Sequence, residues 1–267
     1  MVVNLDISHI LKDWPYKPGQ VTARHVRGED GKEFIQLRLD VGLLQMEATG
    51  RPDGQRPHGY ESLLAYYEER LRRHKEERGI EEGFVLDERD CELLRAESLM
   101  YYHRYLAEFV LEEFEAVERD TRRNLRVMDL CAAFAAESSD RHVLEQYRPY
   151  VVMMLARARA QIQLRNNRPK GALAALDQGV KDIEAFFKRY GHLEMSPNSG
   201  ELAVLRAMAK EVEARIPVDP ISKLKKALRK AVQDERYEEA AGLRDQIHRA
   251  TRGRVEGAGP EGPEDSQ

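Results

Sequence analysis

The sequence predicts a mainly α fold with a small antiparallel β-meander in front and a helical hairpin near the end. Three patterns carry this expectation. Residues 20–49 alternate with period two, apolar positions recur at spacings of three and four from Tyr60 onward, and the chain restarts after Pro217 and Pro220 as two short amphipathic stripes. At 267 residues, 42% hydrophobic and 34% charged, the chain can bury a substantial core while keeping highly charged helix faces in water. A formal charge of -4 gives no overall pull toward nucleic acid or anionic lipid, so binding of either would need a local patch.

The meander comes first. VTARHVR and FIQLRLD flank the turn GEDGKE, whose Gly31 accepts the positive φ that tight hairpins demand, and LLQMEAT supplies a third strand. The loop GRPDGQRPHG then ends regular structure. Arg51, Asp53, Arg56 and His58 on this loop are where chemistry would be sought. No nucleophile lies beside them and no phosphate-loop spacing is present, so a turn with solvated charges is expected.

Helical spacing begins with Tyr60 to Arg78, through Leu63, Leu64, Tyr67 and Leu71, and Gly79 ends it. A longer pattern runs through Leu93, Leu94, Met100, Tyr101, Tyr105, Phe109 and Phe114. Another follows through Leu125, Met128, Leu130, Ala133 and Phe134, and the two predict an antiparallel pair. The break is expected in VERDTRRN, with Asp120 or Thr121 capping the second helix. Arg119 to Arg126 would then be a helix start with a solvated basic face, the alternative being a grip on an acidic peptide or a phosphate. Tyr101, Tyr102, His103 and Tyr105 have core spacing, the alternative being a base-stacking surface. Cys91 and Cys131, with no CxxC between them, read as small buried hydrophobes in a reducing compartment rather than a disulfide or metal pair. MVVNLDISHILKDW has neither the apolar run of a signal peptide nor that of a membrane span, so a cytoplasmic location is expected.

RPYVVMMLARARAQIQL and KGALAALDQGVKDIEAFFKRYG flank the turn RNNRP, and Ala172, Ala175 and Gly179 permit close helix approach. This pair resembles a tetratricopeptide unit, which implies a TPR-like array of packed helices.

In the terminal segment Ile221, Leu224, Leu228, Ala231 and Val232 form one stripe and Tyr237, Ala240, Ala241, Leu243 and Ile247 another. QDER between them leaves room only for a reversal, so the two helices fold back on each other. Lys223, Lys225, Lys226, Arg229 and Lys230 make the first helix basic, while Asp234, Glu235, Glu238, Glu239 and Asp245 make the second acidic. Opposite signs favour the pairing, and Asp245 precedes Arg249 by the favourable four residues.

LKKALRKAVQDERYEEAAGLRDQI resembles the UVR motif of the excision-repair proteins UvrB and UvrC, of the adaptor McsA and of some ClpC chaperones, with Tyr237 where that family usually has Phe. The resemblance implies a hairpin that binds another copy or a UVR-bearing partner. The residues it assigns to the contact are Leu224, Leu228, Tyr237, Ala240, Ala241, Leu243, Arg244, Asp245 and Ile247. Helicase motifs, nuclease carboxylates and clustered zinc-binding cysteines are not found upstream. The expectation is therefore a non-enzymatic cytoplasmic adaptor, without cofactor or metal, that docks a protein partner in protein quality control or DNA repair. The alternative is a nucleic-acid accessory protein using the basic helix at 221–233. The expected organisation is a meander and loop at 1–59, a helical array at 60–216, the hairpin at 217–252 and a disordered tail at 253–267.

Overall fold

The computed structural model describes residues 6–191, 198–216 and 220–256. Residues 253–256, expected to begin a disordered tail, are helical, and the rest of that tail and the junction at Pro217 to Asp219 lie outside the described residues. The fold is mainly helical, with one three-stranded antiparallel sheet, and the chain divides into two compact units, Met1–Glu213 and Ala214–Gln267. Among the described residues no helix is long and apolar enough to cross a membrane.

The first unit opens with a single helical turn, α1 (Ser8–Lys12), followed by β1 (Ala23–Arg27), β2 (Glu33–Arg38) and β3 (Leu43–Glu47) in the order β1-β2-β3. Val26 faces Phe34 and Arg27 faces Glu33 across the first turn. Gly31 sits there at φ 79° and the Asp30 carboxylate accepts the Lys32 amide at 3.0 Å. Strand alternation sends Ile35, Leu37 and Met46 to one face, where they pack with Ala107. On the other face Arg24 donates to Gln36 and Gln36 to Gln45, at 2.9 and 2.8 Å, with the Trp14 ring over Arg24.

Helix α2 (Leu63–Arg78) begins where expected within a turn, and Gly79 ends it at φ 75°. The Ser62 hydroxyl accepts the Ala65 amide at 3.1 Å. A distant side chain accepts the two preceding amides: the Glu97 carboxylate takes Leu63 N–H at 2.8 Å and Leu64 N–H at 3.3 Å. Helix α3 (Glu88–Val110) starts on a capping box between Asp87 and Asp90.

The break expected in VERDTRRN is not there. Helix α4 (Phe114–Phe134) runs straight through it, and neither Asp120 nor Thr121 caps anything. The chain reverses earlier, at Leu111 to Glu113, with Glu112 at φ 61°. Asp120, Thr121, Arg123 and Asn124 are buried while Arg119, Arg122 and Arg126 are exposed, so one face of this stretch is core and only the other is the expected solvated basic face. Pairing of its buried charges, described below, offsets part of the desolvation cost.

After α5 (Ser138–Val143), helices α6 (Arg148–Arg165) and α7 (Pro169–Arg189) form the expected antiparallel pair, and α8 (Gly200–Arg215) joins their core. The small residues earn their place at Gly179, where an added Cβ would lie 2.5 Å from the Ala156 Cβ and 3.1 Å from a Leu205 methyl.

The second unit holds α9 (Pro220–Gln233) and α10 (Tyr237–Glu256), packed against each other. Its reversal uses the same device as the two earlier ones. In each, the amide of the last linker residue reaches back five positions: Glu113 to Glu108, Arg168 to Gln163 and Arg236 to Ala231, at 2.8–2.9 Å. A left-handed residue makes the turn, Glu112, Asn167 or Glu235. These are Schellman motifs closing three helical hairpins.

Candidate functional site

In the hairpin, Ala231 and Ala240 are buried and Leu224, Leu228, Leu243 and Ile247 are half-buried. They recur at 224, 228 and 231 on one helix and at 240, 243 and 247 on the other, the spacing that turns a stripe toward a neighbouring helix. Two helices of this length cannot enclose aliphatic side chains from all sides, so each stripe keeps an edge in water. Ala241, Arg244 and Asp245 are exposed, and Tyr237, the first residue of α10, is 67% exposed.

The charges are arranged differently from the sequence expectation. No ion pair joins α9 to α10 among the described residues, and Asp245 does not pair with Arg249. An exposed i,i+4 pair gains only about 0.3–0.5 kcal/mol, too little to hold two long side chains in one geometry. Arg236 at the reversal pairs instead with Asp234 at 2.8 Å and Glu239 at 2.5 Å. The Arg244 side chain makes no hydrogen bond or ion pair with a described residue, and neither do the exposed side chains of Lys225, Lys226, Arg229 and Lys230. The side chains of Ile221 and Lys223 lie outside the described residues.

A family model described as the UvrB/uvrC motif matches residues 219–249, which cover the hairpin from its start through Arg249. The chain carries a UVR motif. Within that motif the nine residues assigned to the contact fall into two sets: Leu224, Leu228, Ala240, Leu243 and Ile247 along the inner stripe, and Tyr237, Ala241, Arg244 and Asp245 on the outside. The helices of the first unit lie outside the matched residues, and no curated protein and no solved structure matches the chain.

Folding also assembles a constellation that the sequence reading missed. Arg104 of α3 donates to both oxygens of Asp120 on α4, at 2.7 and 3.0 Å, with Arg104, Glu97 and Glu108 fully buried and Asp120 nearly so. Its remaining nitrogen donates to the carbonyls of Glu47 and Gly50, at 3.0 and 2.8 Å. Arg119 bonds Asp120 and Glu108, at 2.8 and 2.7 Å, and Arg123 bonds Glu97. Two guanidiniums lie over the Tyr101 ring, that of Arg104 at 4.8 Å and that of Arg123 at 4.0 Å from its centroid. Burial pushes the Glu108 carboxyl up to about 8, with the nearby Asp120 charge adding to the shift.

The loop candidates are partly drawn into this cluster. Arg51 is largely buried, 3.4 Å from Glu97 and 3.2 Å from Asp53, so it is not a solvated turn charge. The Glu97 carboxylate, needed to cap α2, supplies its counter-charge. His58 stacks on Tyr66 with centroids 4.2 Å apart, and Arg56 is exposed. Tyr101 and Tyr105 are core, as expected. Cys91 and Cys131 are free and buried side by side in the core of α2, α3 and α4, and burial raises both thiols, Cys131 to about 12.

Proposed function

We propose that this protein is a non-enzymatic adaptor that docks a protein partner, or a second copy of itself, through its UVR motif. The observation that carries the reading is the hairpin's unfinished packing: four half-buried aliphatic side chains, an exposed Tyr237 at the turn, and an exposed Arg244 with no acceptor among the described residues. Completing the burial of those four aliphatics in a helical partner contributes about 1 kcal/mol each, by the area of apolar surface removed from water. Tyr and Arg at the edge of such a stripe are the residue types that most often dominate an interface. The helical first unit, whose α6 and α7 resemble a tetratricopeptide pair, serves in this reading as the scaffold. The setting is cytoplasmic, in protein quality control or DNA repair.

A second reading rests on the row of exposed cations on α9, Lys225, Lys226, Arg229 and Lys230, none of which is neutralised by a described residue. Such a row makes phosphate contacts without base readout. One experiment separates the two. The full chain and a chain ending at Ile216 are immobilised and challenged with native cytoplasm, with and without nuclease, in rising salt. Adaptor function predicts a specific protein retained by the full chain only, resistant to nuclease. Retention that disappears with nuclease or moderate salt supports the second reading, and equal retention by the truncated chain removes the hairpin from both.

A further inference from the structure

A cavity of about 240 Å³ lies within the first unit, walled by the loop before α2 and by α2, α3 and α4. Its size, below the range of about 300–1,000 Å³ usual for drug-sized ligands, suits a small molecule. Four arginines, Arg104, Arg119, Arg123 and Arg126, meet three carboxylates, Glu61, Glu68 and Asp120, on its wall. Arg119, Arg123 and Arg126 are spaced i, i+4 and i+7, which sets them along one face of α4.

Their donors are only partly satisfied. Arg119 uses Nε and Nη2 on Asp120 and Glu108, and Arg126 uses Nε and Nη2 on Glu68. Arg123 uses Nη1 and Nη2 on Asn124 and Glu97. Among the described residues this leaves Nη1 of Arg119, Nη1 of Arg126 and Nε of Arg123 without acceptors. The last belongs to a side chain more than nine-tenths buried, where an unpaired donor is costly. Buried side-chain polar atoms lacking a hydrogen-bond partner are few among the described residues, and of them Arg123 Nε is a donor on the wall of this cavity. A buried donor of this kind marks a place where an acceptor is wanted.

We propose that this cavity binds a small oxyanion ligand, a compound presenting a carboxylate or a phosphate, on Arg119, Arg123 and Arg126. A planar guanidinium offers paired N–H groups that match the oxygens of either group, and three in a row on a rigid helix hold one without reorganisation. Asp120 does not repel it, because Arg104 and Arg119 hold that carboxylate from two sides. This site is independent of the docking function and lies in a unit that the UVR motif does not reach.

The test is thermal unfolding and calorimetric titration of the full chain with sodium phosphate and, separately, sodium succinate, against sodium chloride of equal ionic strength. A saturable rise in Tm with phosphate alone assigns a phosphate ligand, with succinate alone a carboxylate, and with both the shared oxyanion chemistry. Arg126→Gln, at an exposed pair with Glu68, should fold normally and bind at least tenfold more weakly; Arg126→Lys, which keeps the charge and loses the fork, should bind less weakly than that. Lys225→Gln/Lys226→Gln on α9 should leave the response intact. No saturable rise with either anion, a rise in both Arg126 variants equal to that of the unaltered chain, or loss of the response in Lys225→Gln/Lys226→Gln overturns the proposal.

Discussion

Replacing Arg104 by methionine removes the centre of the buried charge cluster while keeping a side chain of similar length. The variant leaves Asp120 with only Arg119 Nε at 2.8 Å, Glu108 with one fewer cation, and the Glu47 and Gly50 carbonyls without their donor. Breaking one side of a buried ion pair costs about 3–5 kcal/mol, and the surviving Arg119 contact argues for the lower part of that range. Two orphaned carbonyls add about 1 kcal/mol each. The expected loss is therefore about 5–6 kcal/mol, a large part of the stability of an ordinary domain. Urea denaturation followed by circular dichroism measures it, and hydrogen exchange should show the amides of β3 opening first. Arg104→Met/Asp120→Leu, which removes the pair together, should recover much of the loss, because an apolar pair of similar volume avoids desolvating an unpaired carboxylate. A loss below about 1 kcal/mol for Arg104→Met, or a double variant as unstable as the sum of the two single ones, would refute the claim that this pair locks the sheet to the helices.

Further outcomes follow from other sites. Glu108 binds its proton more tightly in the folded chain than in the unfolded one, so its contribution to stability is full below the ordinary carboxylate range and is lost as pH rises through about 8. Glu108→Gln should flatten that decline, and denaturation series at pH 5, 7 and 9 that fall equally in both proteins would remove Glu108 as its source. Gly179→Ala should destabilise despite alanine's advantage of about 1 kcal/mol in a helix, because its Cβ would collide with Ala156. Gly242→Ala, with open space around it, should instead raise the melting temperature of the hairpin, and matching signs in the two melts would contradict the packing argument. Arg244→Ala should weaken partner capture at least tenfold, equivalent to about 1.4 kcal/mol or more, with the free protein's melting temperature unchanged. A lower melting temperature with unaltered capture would make Arg244 a structural residue.

The meander and the terminal hairpin were legible because their signals are local. Asp30-Gly31 sits between alternating strands, and QDER leaves no room for anything but a reversal. The buried charge cluster was not legible, because its partners come from separate helices, 16 residues apart for Arg104 and Asp120 and 26 for Arg123 and Glu97. A run of arginines ordinarily means water, and burial reverses that rule only when the matching carboxylates stand opposite. A faint sign did exist: Glu97, Tyr101, Arg104 and Glu108 repeat at the spacing of the apolar face of α3, so acids and a base occupied core positions. The misplaced break has a similar cause. Asn167 is a familiar left-handed residue that marks its turn in the sequence, whereas Glu112 carries no such mark. Within the hairpin, composition indicated which stripe turns inward but not whether opposite charges would meet.

The three reversals also set an order of events as the chain folds. Each closes a pair of helices through a linker of the same length, so most of the helix pairing joins segments close in sequence and asks for little loop closure. Contacts of that kind form early and fast. The meander must wait, since the Arg104 bonds that fix it span 57 and 54 residues and need α3 and α4 already side by side to orient the guanidinium. A refolding experiment should therefore register helix first, with sheet docking as the slow phase, and Arg104→Met should slow that phase while leaving the helical one untouched.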